Sequence, residues 1–297
     1  MRLTYIKLVA TVFFWGSNFA MGKFAIQSFD PYSAALIRFL VGATILLMVL
    51  YRTNGTFPSL SVWQWRMVFL SSLTGVFLYN VLFFSGIQYM PTIRASLLVA
   101  FSPITVAVAS WLIFKERITL IKWIGILISL VGAITVISRG NFNSFFTGAS
   151  WGLGEILIFG SVVAWTVYTL LGRVVLTTIQ PLTLSAYSAT IGCLLLLIPA
   201  WQHGIAGSIP NASWQSWVAV IYMGITATAL GYIWFYDAVK KLGAAQTTVV
   251  GNLTPVFAVL IAVIFLDESL TISTIIGGIL VMIGILLTNG LLRWPRS

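Results

Sequence analysis

The chain has 297 residues, 59% of them hydrophobic and 7% charged, with a net charge of +10. A soluble domain carries roughly 25% charged residues, so this composition cannot cover a water-facing surface and the bilayer is the expected solvent. The positive charges do not read as a nucleic-acid footprint: they stand singly at the ends of apolar runs, with no basic cluster or aromatic–basic stripe, which suits topology determinants beside anionic lipid.

A helix rising 1.5 Å per residue needs about 20 apolar residues to cross roughly 30 Å of hydrocarbon. Ten such runs are expected in chain order: 5–26, 32–51, 66–89, 92–114, 122–138, 151–171, 182–200, 214–237, 246–266 and 272–292. Breakers separate them, among them Asp30-Pro31, Asn54-Gly55, Met90-Pro91, Gly140-Asn141, Gln180-Pro181, Pro210-Asn211 and Lys241-Leu242-Gly243. No linker is long enough for a soluble domain, so the expected fold is an all-α integral membrane protein with ten transmembrane helices. Met1-Arg2 before an apolar run imitates a signal peptide, but Trp15 and Gly22 take part in an internal repeat, so the first helix is expected to stay.

That repeat spans the chain. Residues 79–138 fall without a gap on 231–290: Pro103 meets Pro255, Glu116 meets Glu268, Gly125 meets Gly277 and Gly132 meets Gly284, an offset of 152 (255 − 103). Earlier residues repeat at an offset of 150, Trp15 with Trp165, Gly22 with Gly172, Pro31 with Pro181 and Gly42 with Gly192. The expected units are 1–140 and 141–297, five helices each. Five is odd, so the second copy enters the membrane inverted, the arrangement by which transporters alternate access about a shared site. With the N-terminus inside, one side collects Arg2, Lys7, Arg52, Arg66, Lys115, Arg117, Lys122, Arg173, Lys240, Lys241, Arg293 and Arg296, and the other holds Lys23, Arg94 and Arg139. Both termini are therefore expected in the cytoplasm, across a bacterial inner membrane. Cys193, the single cysteine, lies in an apolar run and reads as an inert small hydrophobe.

The opening Trp15-Gly16-Ser17-Asn18-Phe19 resembles the first helix of EamA-type domains of the drug/metabolite transporter superfamily. So do Ser102-Pro103…Phe114-Lys115-Glu116 and Thr254-Pro255…Phe265-Leu266-Asp267-Glu268. The resemblance covers nearly the whole chain as two units, and implies a central cavity between the halves and alternating access. It does not specify a substrate.

Pro103 and Pro255 fall near the middle of the fourth and ninth runs, where each frees the carbonyl four residues back and bends the helix. Ser102 and Thr254, just before them, can supply a hydroxyl to that carbonyl. A flexing hinge and a static bend are both open. Trp15 and Asn18 share a helix face, as do Trp165 and Tyr168, Tyr79 and Phe83 (with Asn80 adjacent), and Tyr232 and Tyr236. Asn252 lies one turn before Pro255, and an asparagine at mid-membrane belongs in the bundle interior. Together with Phe101 these are the candidate substrate-binding residues; the alternative is that the rings pack or face lipid. Glu116 and Glu268, thirteen residues past their prolines, sit about 20 Å along the helix, near its end. There they can cap the next helix or act as a gate. Arg38, inside the second run with Ser188 as its counterpart, reads either as half of an ion pair with Glu155 or Glu268, or as a contact for a substrate carboxylate.

No acid lies near the centre of a span and His203 stands alone in a loop, so no proton relay, metal site or cofactor is expected. The expected function is a secondary transporter exporting amino acids or similar small amphipathic metabolites, and not an enzyme. The alternatives are a broad drug or cation effluxer and, from another class, a membrane-embedded lipid-modifying enzyme, which would need a polar catalytic cluster that is not seen. The expected partners are a small-molecule substrate and the lipid bilayer, without nucleic acid, and the expected state is a monomer.

Overall fold

The computed structural model describes residues 2–115, 119–141, 143, 152–242, 250–251 and 253–288, with the backbone alone at 236, 239 and 240. The described elements are all helical: α1 (Arg2–Ala25), α2 (Pro31–Asn54), α3 (Val62–Ser71), the π-helical segment π1 (Ser72–Leu78), α4 (Tyr79–Gly86), α5 (Thr92–Val99), α6 (Ser102–Phe114) and α7 (Leu120–Ile137). Then follow α8 (Leu153–Val175), α9 (Pro181–Gln202), α10 (Ile205–Asn211), α11 (Trp214–Tyr222), π2 (Met223–Leu230), α12 (Gly231–Leu242), α13 (Thr254–Leu266) and α14 (Ile272–Thr288).

Seven described stretches are long and apolar enough to cross a membrane: Pro31–Asn54, Val62–Gly86, Thr92–Phe114, Leu120–Ile137, Leu153–Val175, Pro181–Gln202 and Trp214–Phe235. Thr254–Leu266 and Ile272–Thr288 are apolar but shorter, and α1, 24 residues long, is not among the seven. Their outward faces carry Leu112, Ile113, Ile198, Ile264 and Ile272, all well exposed, which suits lipid contact.

Local chemistry sets the ends. The Asp30 carboxylate accepts from the Tyr32 and Ser33 amides at the start of α2, Pro31 occupies the first turn, and Gly55 closes the helix in the left-handed region. Lys115 and Asp267, equivalent under the 152 offset, both end their helices at positive φ (53° and 51°), so the same turn is built twice.

Several of the expected spans are interrupted among the described residues. Runs 66–89 and 214–237 each contain a π-helical segment, in which Tyr79 N–H reaches back to Thr74 O and Gly231 N–H to Thr226 O. Thr74 and Thr226 are again equivalent. The run 92–114 breaks at Ala100–Phe101, so Pro103 sits in the first turn of α6 rather than inside a continuous helix, and Pro255 likewise opens α13. Ser102 Oγ donates to Val99 O (2.5 Å) and Thr254 Oγ1 to Gly251 O (2.8 Å), the carbonyls that the two prolines release.

The packing between the halves follows the repeat. α7 packs on α14 and α2 on α9, each a pair of equivalent helices; α1 packs against α11–π2–α12 and α13, and α8 against α3–π1–α4, α5 and α6. The α7–α14 contact runs through glycine. A Cβ on Gly125 would lie 2.7 Å from Gly284 O, and one on Gly132 2.7 Å from Gly277 O. Ser129 Oγ donates to Val281 O, its own equivalent, at 3.1 Å. One residue number rises as the other falls, so these equivalent helices are antiparallel. Gly132→Leu is expected to destabilise the protein by about 1–3 kcal/mol through overpacking, read as a lower melting temperature in detergent; an unchanged melting temperature would contradict the close contact.

Candidate substrate site between the repeats

Rings from both halves meet where α1, α8 and the two π-containing helices converge. The Trp15 indole Nε1 donates to Ala227 O in π2 at 3.1 Å, and its ring lies 5.2 Å from Phe235 and 6.5 Å from Tyr232 between centroids. Gly231 makes room for that indole: a Cβ there would be 2.9 Å from Nε1. In a second group Trp165 lies 5.2 Å from both Tyr79 and Tyr168, Tyr79 stacks on Phe83 at 5.9 Å, and Phe83 meets Phe19 at 5.1 Å. The Tyr168 ring fills the space left by Gly75 in π1. Trp15, Tyr79, Trp165, Tyr168 and Tyr232 are half-buried, whereas Phe83 is buried.

Arg38 joins the two π segments. Its Nε donates to Thr228 Oγ1 in π2 and its Nη1 to Asn80 Oδ1, both at 3.1 Å. Asn80 Nδ2 in turn donates to Val76 O in π1 at 2.8 Å. A π turn leaves a carbonyl without its usual α-helical partner, and in the two halves Asn80 and Trp15 supply donors to these segments. The guanidinium carbon lies 5.1 Å from the Phe39 ring centroid, with Tyr79 and Tyr232 nearby. Arg38 is 7% exposed and forms no ion pair among the described residues.

The expected ion-pair partners of Arg38 are engaged elsewhere. Glu155 pairs with Arg94 at 2.5 Å, joining the start of α8 to α5 with both side chains buried. Glu268 accepts from Thr92 N (2.6 Å) and Ile93 N (2.8 Å) at the start of α5, where free amides and the helix dipole favour a carboxylate. It therefore caps a helix of the other half, not the one that follows it; the first turn of α14 is served by Thr271 Oγ1, which accepts from Thr274 N at 3.2 Å. The left-handed Asp267 redirects the chain and so aims Glu268 across the repeat boundary. Beside it a cleft of about 550 Å³ opens between Lys23, Ile26, Gln27, Gln88, Leu266 and Glu268.

Asn18, one turn beyond Trp15, is 8% exposed and its Oδ1 has no partner among the described residues. Phe101 is not brought to the ring cluster; it packs half-buried with Ile104, Ile126, Val281 and Ile285. Asn252, Glu116 and the Tyr236 side chain lie outside the described residues. His203, expected to stand alone, is exposed but stacks on Tyr32 at 4.6 Å. Thr228 and the Thr105–Thr166 hydroxyl contact (2.6 Å) between α6 and α8 escaped the sequence reading, because threonines are common in apolar helices and neither pattern repeats at its counterpart.

The EamA-like transporter family model matches this chain twice, over residues 2–138 and 152–290. Similar proteins include the uncharacterised transporter YyaM of Bacillus subtilis (strain 168), 28% identical over 292 residues that cover 98% of this chain and 95% of that protein. An uncharacterised transporter of Archaeoglobus fulgidus is 27% identical over 287 residues, covering 96% and 97% respectively. A protein of known crystal structure aligns with a TM-score of 0.65 at 17% identity, over 98% of this chain and 99% of its own, and so shares the fold. The double match is the internal repeat seen from outside, and with the seven apolar spans it makes this a multi-pass membrane protein: the chain belongs to the EamA-like transporter family.

Proposed function

We propose that the protein exports amino acids or similar small amphipathic metabolites by alternating access, through the ring-lined interface between the units 1–140 and 141–297. The observation that carries this reading is the two groups of half-buried rings, Trp15 with Tyr232 and Trp165 with Tyr79 and Tyr168, each drawn from both halves, together with a buried arginine bonded to Thr228 and Asn80. Rings offer apolar surface to a side chain, while amides and hydroxyls orient polar groups. A guanidinium without a counter-charge among the described residues repels cations, which disfavours a cation effluxer. The antiparallel packing of equivalent helices supports ten helices in two inverted repeats, monomeric in a bacterial inner membrane with both termini cytoplasmic. Pro103 and Pro255, at the breaks before α6 and α13, are the hinges of this scheme.

The test is counterflow in proteoliposomes preloaded with mixed amino acids, following one labelled amino acid at a time. Uptake above that of protein-free liposomes is expected for apolar or aromatic amino acids. Silence across the panel from folded protein would overturn the substrate reading. C-terminal reporter fusions are expected to report a cytoplasmic C-terminus; a reporter active only on the far side would contradict the ten-helix scheme.

A further inference from the structure

We propose that Arg38 and Asn18 form a recognition pair for the two charged ends of an α-amino acid, Arg38 taking the carboxylate and Asn18 Oδ1 the ammonium. This rests on the export reading above and adds to it which residues read the substrate, and how.

Arg38 has two neutral partners, through Nε and Nη1, and its second terminal nitrogen, Nη2, makes no hydrogen bond among the described residues. A cation buried in a low-dielectric interior is unfavourable unless an anion accompanies it. Both carboxylates the sequence offered as partners, Glu155 and Glu268, are engaged elsewhere. Asn80 and Thr228 therefore hold the guanidinium in place without neutralising it, one from each half, beside Tyr79 and Tyr232. A carboxylate arriving there gains a charge-assisted hydrogen bond, the strong kind.

Asn18 supplies the second, independent observation. Its Oδ1 is a buried acceptor with no donor among the described residues, and buried acceptors are rarely left so. Its neighbours fix its place: Trp15, one turn earlier, bonds to Ala227 beside Thr228, and Phe19, next in sequence, touches Phe83, one turn from Tyr79. Through Trp15 and Phe19, α1 thus reaches both the π2 segment that carries Thr228 and the ring group of Tyr79 and Phe83. An ammonium supplies the missing donor, and the half-buried rings accept an apolar or aromatic side chain. The arrangement is absent from the mirrored positions, where Ser188 stands for Arg38 and Tyr168 for Asn18. The scaffold is symmetric and the recognition chemistry is not.

The test is binding to purified protein in detergent, read by tryptophan fluorescence, with three probes: phenylalanine, phenylalaninamide (no carboxylate) and 3-phenylpropionate (no ammonium). Wild type is expected to prefer phenylalanine over the amide by about tenfold or more, as a hydrogen bond to a charged group implies. Arg38→Gln is expected to erase that preference while keeping the preference over 3-phenylpropionate. Asn18→Leu is expected to do the reverse. A purely structural Arg38 would weaken all three probes together, and that result, or an intact acid-over-amide preference in folded Arg38→Gln, overturns the proposal and leaves the export reading standing. If Arg38→Gln does not fold, Arg38→Lys decides: loss of the planar fork should shrink the preference, and an unchanged preference overturns the proposal. Folded wild type that binds none of the three, and shows no counterflow, overturns the export reading itself.

Discussion

Glu155→Leu is expected to lower stability by about 3–5 kcal/mol, because it leaves Arg94 charged and buried without its partner. Arg94 and Glu155 have side chains only 8% and 6% exposed and meet at 2.5 Å. The bond of Arg94 from Nη2 to Ile137 O at 3.2 Å cannot neutralise it, and its Nε has no partner among the described residues. Removing both charges is a different matter: a buried pair replaced by apolar residues is often neutral or stabilising. Arg94→Leu/Glu155→Leu should therefore recover most of what either single change loses. Melting temperatures of the four proteins in one detergent check this. Equal stability of wild type and Glu155→Leu, or a double variant worse than both singles, would contradict the burial of the pair.

Trp165→Ala is expected to lower counterflow by about tenfold or more, the effect of losing a large ring and its stacking partners from a binding surface. Trp165 touches Tyr79 of one half and Tyr168 of its own, so it spans the interface through which the solute would pass. Being half-buried, it should lose less stability than the roughly 3–5 kcal/mol of a fully buried tryptophan. Trp165→Phe should retain most activity. Full activity in Trp165→Ala would remove this ring from the site; collapse of the fold in both variants would make it a packing residue.

The sequence revealed features that depend on residue identity repeated at a fixed distance. The paired prolines, with Ser102 and Thr254 hydroxyls beside the released carbonyls, could be inferred because proline chemistry is local. The Gly125 and Gly132 contacts with Gly284 and Gly277 follow from the same kind of signal. The π segments were invisible: one extra residue in a turn leaves an all-apolar run all apolar, so hydrophobic periodicity carries no trace of it. The partners of the charges were not legible. Glu268 is expected near a helix end from its distance to Pro255, yet which helix start or cation Glu268 and Glu155 each meet depends on how the halves interlock, through contacts between residues 61 to 176 positions apart (155 − 94; 268 − 92). Arg38 was singled out by depth alone, and its neutral partners Asn80 and Thr228 come from two other helices.

The central claim is that the ring-lined interface opens in turn to each side of the membrane. Cys193 is the sole cysteine and is buried, so Cys193→Ala provides a background for a single probe at the site, Tyr79→Cys. Labelling with a membrane-impermeant maleimide, applied to right-side-out and to inside-out vesicles, should modify that position from both sides, with phenylalanine slowing both reactions. Labelling from one side only, whatever the conditions, would contradict alternating access at this interface.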